Sequence, residues 1–229
     1  MNRGKLIVID GTDGSGKATQ TELLVKALKN EGRRVKIIDF PGYYSNFFGK
    51  FIGHCLSEQY YNFIKVHPKI ASVLYAADRF ETKDKIEKWL KKGYIVVANR
   101  YASANQIHQG GKISNTRKRE AFIKWLAEME YGVFKIPKPD AIFYLNVPIK
   151  VVLKLITERN KSRSRKYLKE KTDVHEKDVK FLENSRKSAL WLTKTQRGWI
   201  KIECVKNGIL ESRQNIHQKI YEKIKKILK

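Results

Sequence analysis

The chain has 229 residues, a length that suits one domain with a substantial core. Hydrophobic residues at 41% and charged residues at 31% exclude a disordered chain, and no apolar run approaches the roughly 20 residues of a membrane span. The formal net charge of +25 comes without the aromatic–basic interleaving of RNA-binding modules, so it reads as lysine bias serving an anionic ligand and not as a nucleic-acid interface.

Lys5-Leu6-Ile7-Val8-Ile9-Asp10 is a short apolar run that predicts a buried strand, with no apolar signal segment before it. A glycine-rich turn follows. From Lys17 to Glu31, Leu23, Leu24, Ala27 and Leu28 recur at helical spacing, and Gly32 supplies a stop. Arg34 to Asp39 predicts a second strand, closed by Phe40-Pro41-Gly42. Pro68 to Lys92 predicts one long helix ended by Gly93. Tyr94 to Ala98 is the third strand, Thr116 to Tyr131 a helix, and Ala141 to Leu145 the fourth strand. Val147-Pro148 opens another helix. The stretch from Arg159 to about Thr172 is polar and dense in Lys and Arg, and predicts a mobile basic lid between two helices. Trp199 to Cys204 is the fifth strand, and a last helix starts near Ser212.

Strands alternate with helices along the whole length. The expected fold is therefore α/β, a three-layer sandwich with a five-stranded parallel sheet and helices on both faces, in a single domain over residues 1–229. Ligands in such folds bind beyond the carboxyl ends of the strands. Cys55 and Cys204 are far apart and have no pairing context, so they read as buried or free thiols of a reducing cytoplasm.

Gly11-Thr12-Asp13-Gly14-Ser15-Gly16-Lys17 follows a strand and opens a helix. That is the phosphate-loop spacing G-x-x-x-x-G-K in the context it requires. The glycines let successive backbone N–H groups turn inward, the helix N-terminus adds partial positive charge, and Lys17 reaches the β- and γ-phosphates of a nucleotide. Gly11, Gly14, Ser15, Gly16, Lys17, Ala18 and Thr19 are thus the candidate ATP phosphate-binding residues. The residue after the lysine is ordinarily Ser or Thr, whose hydroxyl ligates Mg²⁺. Ala18 has no hydroxyl, so magnesium must be held by phosphates, water and a nearby carboxylate, for which Asp13 is the candidate.

Further motifs narrow the class. Gly11 to Gln20 (GTDGSGKATQ), Phe40-Pro41, Leu74 to Phe80 (LYAADRF), Asn99-Arg100-Tyr101 with Ala104-Asn105, and Asp173-Val174-His175-Glu176 occur in order. Together they resemble the thymidylate kinase family over nearly the full chain. The resemblance implies a P-loop nucleoside monophosphate kinase that moves the γ-phosphoryl group of ATP, with Mg²⁺, onto dTMP to give dTDP. It also implies a homodimer, with helices such as Pro68–Lys92 as candidate interface.

By the same resemblance Asp13 accepts from the sugar 3′-hydroxyl and Tyr75 stacks on the base. Arg79, one helical turn on, donates to thymine O4. Arg100 clamps the acceptor phosphate. Asn105 pairs with the thymine edge, its amide offering both donor and acceptor. Phe40, Pro41 and Tyr43 belong to the acceptor loop. His108 reads either as the residue near the sugar 2′ position or as a surface histidine. The family has Asp where this chain has Asn99. Some members carry a P-loop arginine where this chain has Gly14, and the others supply a basic residue from the lid. Here the lid offers Arg159, Lys161, Arg163, Arg165 and Lys166, of which Arg163 and Arg165 are the catalytic candidates beside Lys17, Asp13 and Arg100. Two alternatives stay open on the residues alone: a kinase for another nucleotide or deoxynucleoside, or an impaired nucleotide- or nucleic-acid-binding protein, as Ala18, Asn99 and the charge would allow.

Overall fold

The computed structural model describes residues 3–57, 63–162 and 178–228. In chain order the elements are β1 (Leu6–Gly11), α1 (Lys17–Asn30), β2 (Val35–Asp39), α2 (Phe47–Leu56), α3 (Pro68–Glu81), α4 (Lys83–Lys91) and β3 (Ile95–Asn99). A short helix α5 (Ala102–Ala104) runs into a π-helical turn, Asn105–Gln109. Next come α6 (Thr116–Ala127), a second π-helical turn (Glu128–Val133), β4 (Ala141–Asn146) and α7 (Ile149–Ser162). The chain ends with α8 (Val179–Thr195), β5 (Trp199–Glu203), the small hairpin β6 (Val205–Lys206) and β7 (Ile209–Leu210), and α9 (Arg213–Ile227).

The first five strands pair in parallel in the order β2-β3-β1-β4-β5. β1 and β4 are buried at every residue, which is why Leu6–Ile9 and Ala141–Leu145 run apolar without alternating, polar residues entering only at the carboxyl ends. Leu24 and Leu28 of α1, Val152 and Ile156 of α7, and Ile216, Ile220 and Ile224 of α9 cover one face, against Ile7, Ile9, Val97 and Phe143. On the other face Ile86 and Leu90 of α4 meet Leu6, Val8 and Val96, while α6 and α8 close around Tyr144. Each such aliphatic side chain contributes about 1.5–3 kcal/mol by leaving water. The layers are those expected from the alternation of strands and helices.

The predicted helix Pro68–Lys92 is two helices. The chain breaks at Thr82, whose hydroxyl donates to the Arg79 carbonyl at 3.0 Å and competes with the helical ladder. The break lets α3 pack on α2 while α4 packs on the sheet. The helix predicted to Tyr131 keeps α geometry only to Ala127 and then widens into the π-helical turn. Helix α2 and the β6–β7 hairpin add to the sequence reading. The basic stretch is described only to Ser162, where it continues α7; Arg163, Arg165, Lys166 and Asp173 to Glu176 lie outside the described residues.

From β1 the chain moves outward to β2, returns to β3, then crosses to β4 on the other side of β1. The direction of winding reverses at β1, so a crevice opens beyond its carboxyl end. The glycine-rich turn leaves β1 there, and Asn99-Arg100 leaves the neighbouring β3.

Candidate active site

The turn after β1 is a tight phosphate cradle. Gly14 and Gly16 sit at φ 79° and 85°, in the left-handed region that favours glycine. A Cβ on Gly14 would also lie 2.7 Å from Ile156 of α7, so neither backbone nor space admits a side chain. Gly16 is the N-cap of α1 and offers no side-chain cap, which leaves the helix N–H groups facing the crevice. Lys17 folds across the turn and donates to the carbonyls of Gly11 at 3.0 Å and Thr12 at 2.8 Å. Its ammonium is also 3.7 Å from Asp13 Oδ1. Thr12 Oγ1 and Ser15 Oγ are buried with no hydrogen-bond partner among the described residues. Ala18 is exposed and Thr19 half-buried on the first turn of α1.

Asp13 lies between two cations. Arg100 Nη2 donates to its Oδ1 from the end of β3. Arg100 holds φ 62°, unusual for a residue with a side chain, while its backbone N–H donates to Ile9 O at 3.0 Å. Beneath them Asp10 is fully buried and accepts from Gly11 N and Ser103 Oγ. Burial pushes its carboxyl up, and the Ser103 hydrogen bond and the Lys17 and Arg100 charges partly counter this.

Beyond Asp13 and Arg100 opens a cavity that continues to α3 and the turn after α5. Phe40, Pro41 and Tyr43 line one side, and Tyr75 and Arg79 of α3 another. Asn105 and His108, on the π-helical turn after α5, complete the wall. Leu56, Tyr101, Ala104 and Gln109 also line it. The Phe40–Pro41 peptide is cis. Asp78 ties this loop to α3 by accepting from Gly42 N at 3.0 Å and Asn46 Nδ2 at 2.7 Å.

Arg79 is 2% exposed and forked onto Glu130 at 2.6 and 2.7 Å. Burial alone would lower its pKa; the Glu130 carboxylate more than offsets this, and the guanidinium stays charged. Asn105 does not offer the cavity both donor and acceptor, because its Nδ2 is spent on Ser72 O at 3.1 Å and Glu130 Oε1 at 2.9 Å. The surface reading of His108 also fails: it is 8% exposed, stacks on Phe181, and its Nδ1 lies 3.2 Å from Ser185 Oγ. Glu130 had no local sequence signal, since it looks like any helical glutamate.

Comparison with known proteins bears on this arrangement directly. The family model described as thymidylate kinase matches residues 9–216. The chain belongs to the thymidylate kinase family. Its relatives include the thymidylate kinase of Plasmodium falciparum, 33% identical over 64% of this chain and 63% of that protein. The human thymidylate kinase is 30% identical over 64% of this chain and 63% of its own. The thymidylate kinase of Thermosipho melanesiensis is 26% identical but aligned over 88% and 90%. A solved thymidylate kinase from Candida albicans has the same fold, with a TM-score of 0.73 at 21% identity, over 98% of this chain and 92% of that one.

Phosphoryl transfer from ATP ordinarily draws on Mg²⁺ held against the phosphates. Mg²⁺ takes six oxygens, keeps several waters and leans on one or two carboxylates plus substrate phosphates. Among the described residues there is no cluster of three acidic, His or Cys side chains. Oxygens near the phosphate turn include those of Asp10, Asp13 and Asn99, and Asn99 Oδ1 is buried with no hydrogen-bond partner among the described residues. That donor set suits a metal bound chiefly by phosphates and water.

Proposed function

We propose that the chain transfers the γ-phosphoryl group of ATP to dTMP, giving ADP and dTDP. The observation that carries the reading is one phosphate cradle and one cavity lined by Tyr75, Arg79 and Asn105 on either side of the Asp13–Arg100 pair. The acceptor of a monophosphate kinase is already an anionic phosphate oxygen, so no strong base is needed. Catalysis reduces to in-line placement and neutralisation of charge.

Gly11, Gly14, Ser15, Gly16, Ala18 and Thr19 would wrap the donor phosphates with backbone N–H groups. Lys17 would leave the Gly11 and Thr12 carbonyls for the β- and γ-phosphates. Arg100 would turn from Asp13 to the acceptor phosphate, with Tyr43 beside it, and release Asp13 to accept from the sugar 3′-hydroxyl. Tyr75 would stack on the base across from Phe40 and Pro41. Arg79 would donate to thymine O4, Asn105 would accept from N3–H, and His108 would sit near the sugar. Arg163 and Arg165 are proposed to cover the transferring group from the lid.

Magnesium, when bound, supplies charge neutralisation across the β- and γ-phosphates. Asp10, Asp13 and Asn99 would hold its waters. The protein is proposed to work in the cytoplasm, where Cys55 and Cys204, both buried thiols, stay reduced. Among the described residues no helix is long and apolar enough to cross a membrane. It is proposed to act as a homodimer through the exposed Ile70, Val73 and Phe80 of α3.

The test is ADP release with ATP and Mg²⁺ across a panel of nucleoside monophosphates. Turnover should be best with dTMP, with dUMP behind it by the 1–3 kcal/mol, roughly, that one methyl group is worth in a fitted site. Lys17→Ala should lower kcat by roughly a hundredfold or more. Absence of turnover with every acceptor would overturn the reading and favour a nucleotide-binding role without transfer.

A further inference from the structure

Glu130 is held behind the base end of the cavity by the π-helical turn that follows α6, and it is 1% exposed. Its Oε2 accepts from Arg79 Nε. Its Oε1 accepts from both Arg79 Nη2 and Asn105 Nδ2. Asn105 Nδ2 has a second acceptor in the Ser72 carbonyl. A buried carboxylate is costly unless it is paired and fully hydrogen-bonded, and this one is both.

These contacts fix a polarity. A carboxylate and a carbonyl can only accept. Turning the Asn105 amide over would press its oxygen against both, in a buried place where unmade hydrogen bonds are expensive. Nδ2 therefore stays inward, and Oδ1 is the polar atom Asn105 has left for the cavity it lines. Arg79 is the converse. It owns only donors, and with Nε and one N–H of Nη2 spent on Glu130, the Nη1 end remains. The base end of the cavity thus presents one acceptor and a set of donors, and both are held by the same carboxylate.

We infer that Glu130 is a specificity-positioning residue: by orienting Asn105 and Arg79 together it makes the site read an imide edge, an N–H beside a carbonyl, and refuse the inverted edge of cytosine. The inference rests on the proposed function in placing the nucleobase at this end. Thymine or uracil would give N3–H to Asn105 Oδ1 and take donors from Arg79 at O4. Cytosine would set its N3 acceptor against Oδ1 and its amino group against the guanidinium. Sites built to hydrogen-bond one pattern reject the mismatched one strongly, because buried groups on both sides are left unpaired.

Glu130→Gln tests this with nearly unchanged shape. The new amide puts an N–H₂ where an acceptor stood, so either Arg79 loses half its fork or Asn105 turns over. Binding of dTMP and dCMP is measured by calorimetry on the wild type and the variant, with KM and kcat for each. The wild type should favour dTMP over dCMP by roughly a hundredfold or more, and the variant by roughly tenfold or less, mainly through KM. A merely structural glutamate would lower the melting temperature and active fraction for both ligands alike, leaving the ratio intact. An intact ratio in a folded variant overturns the inference while the function stands. A wild type that binds neither nucleotide overturns the function and this inference with it. If Glu130→Gln does not fold, N3-methyl-dTMP replaces it as probe on the wild type. Loss of roughly tenfold or more in affinity supports the fixed acceptor, and binding equal to dTMP overturns it.

Discussion

Lys112 carries an ammonium group into a place that does not favour it. Its Nζ donates to the Val66 carbonyl at 3.0 Å, and burial pushes its pKa down to about 8. Between pH 8 and the unfolded value of 10.5 the unfolded chain holds a proton that the folded chain has released, so this residue's contribution to stability rises with pH across that window. Below pH 8 the burial cost is present in full. Lys112→Met should therefore stabilise the fold by about 1–2 kcal/mol at pH 7, a figure discounted for the partial exposure of the group, and the gain should shrink as pH nears 10. Urea unfolding of both proteins at several pH values measures it, and the difference between them isolates Lys112. Buried groups such as Cys204, whose thiol is pushed up to about 12, weaken both proteins alike at high pH. A pH-independent difference would mean that Lys112 is solvated. Gly14 shows the opposite constraint: an arginine there would need φ 79° and the space held by Ile156, so any cationic help at the transferred group has to come from elsewhere.

At the scale of elements, the acceptor loop is latched to α3 and α2 through one asparagine. Asn46 caps α2 by accepting from Gly49 N at 2.8 Å and donates to Asp78 Oδ1 at 2.7 Å. Asp78 in turn holds Gly42, next to the Phe40-Pro41 wall of the cavity. Asn46→Ala removes a cap worth about 0.5–2 kcal/mol and leaves a buried carboxylate with one donor fewer, about 1–3 kcal/mol more. The expected loss is therefore roughly 2–4 kcal/mol in chemical denaturation, with a higher KM for dTMP and an unchanged KM for ATP. Equal KM values for dTMP before and after would show that the loop keeps its place without the latch. The sequence made some elements plain and hid others for physical reasons. β1, the phosphate loop and α1 were readable because their signal is local. The Val205 to Leu210 hairpin has a local signal too, since Asn207-Gly208 takes φ 51° and 78° in the turn that this pair favours. Helix α2 was hidden by Gly49 and Gly53, which read as breakers. Gly49 is there because a Cβ would lie 2.2 Å from the Gly42 carbonyl, a tertiary reason that no window of sequence carries.

At the scale of the whole molecule, the site divides the same way. Lys17, Asp13, Arg79, Arg100 and Asn105 were identifiable as motif residues, whereas Glu130 became visible only once the fold had brought it to Arg79 and Asn105, 51 and 25 residues away. The proposed homodimer would join two chains of net charge +25 each. Self-repulsion of that size opposes association, so a dimer must rest on apolar contact and should tighten as salt screens the charge. Ile70, Val73 and Phe80 of α3 are 59%, 41% and 50% exposed, and their spacing puts them on one side of the helix. Tyr75 and Arg79 of the same helix line the cavity. A partner seated on the outer side would thus brace the helix that carries the proposed base site. Val73→Lys adds a cation to each copy at the centre of that stripe without touching the core. Sedimentation at micromolar concentration should give a dimer for the wild type, stronger at higher salt, and a monomer for the variant. The variant should also show a KM for dTMP raised several-fold while its melting temperature in dilute solution barely moves, because Val73 is 41% exposed and lies outside the buried core. A wild type that remains monomeric at high protein concentration and high salt would remove α3 as an interface, and with it the expectation that base binding depends on a second copy.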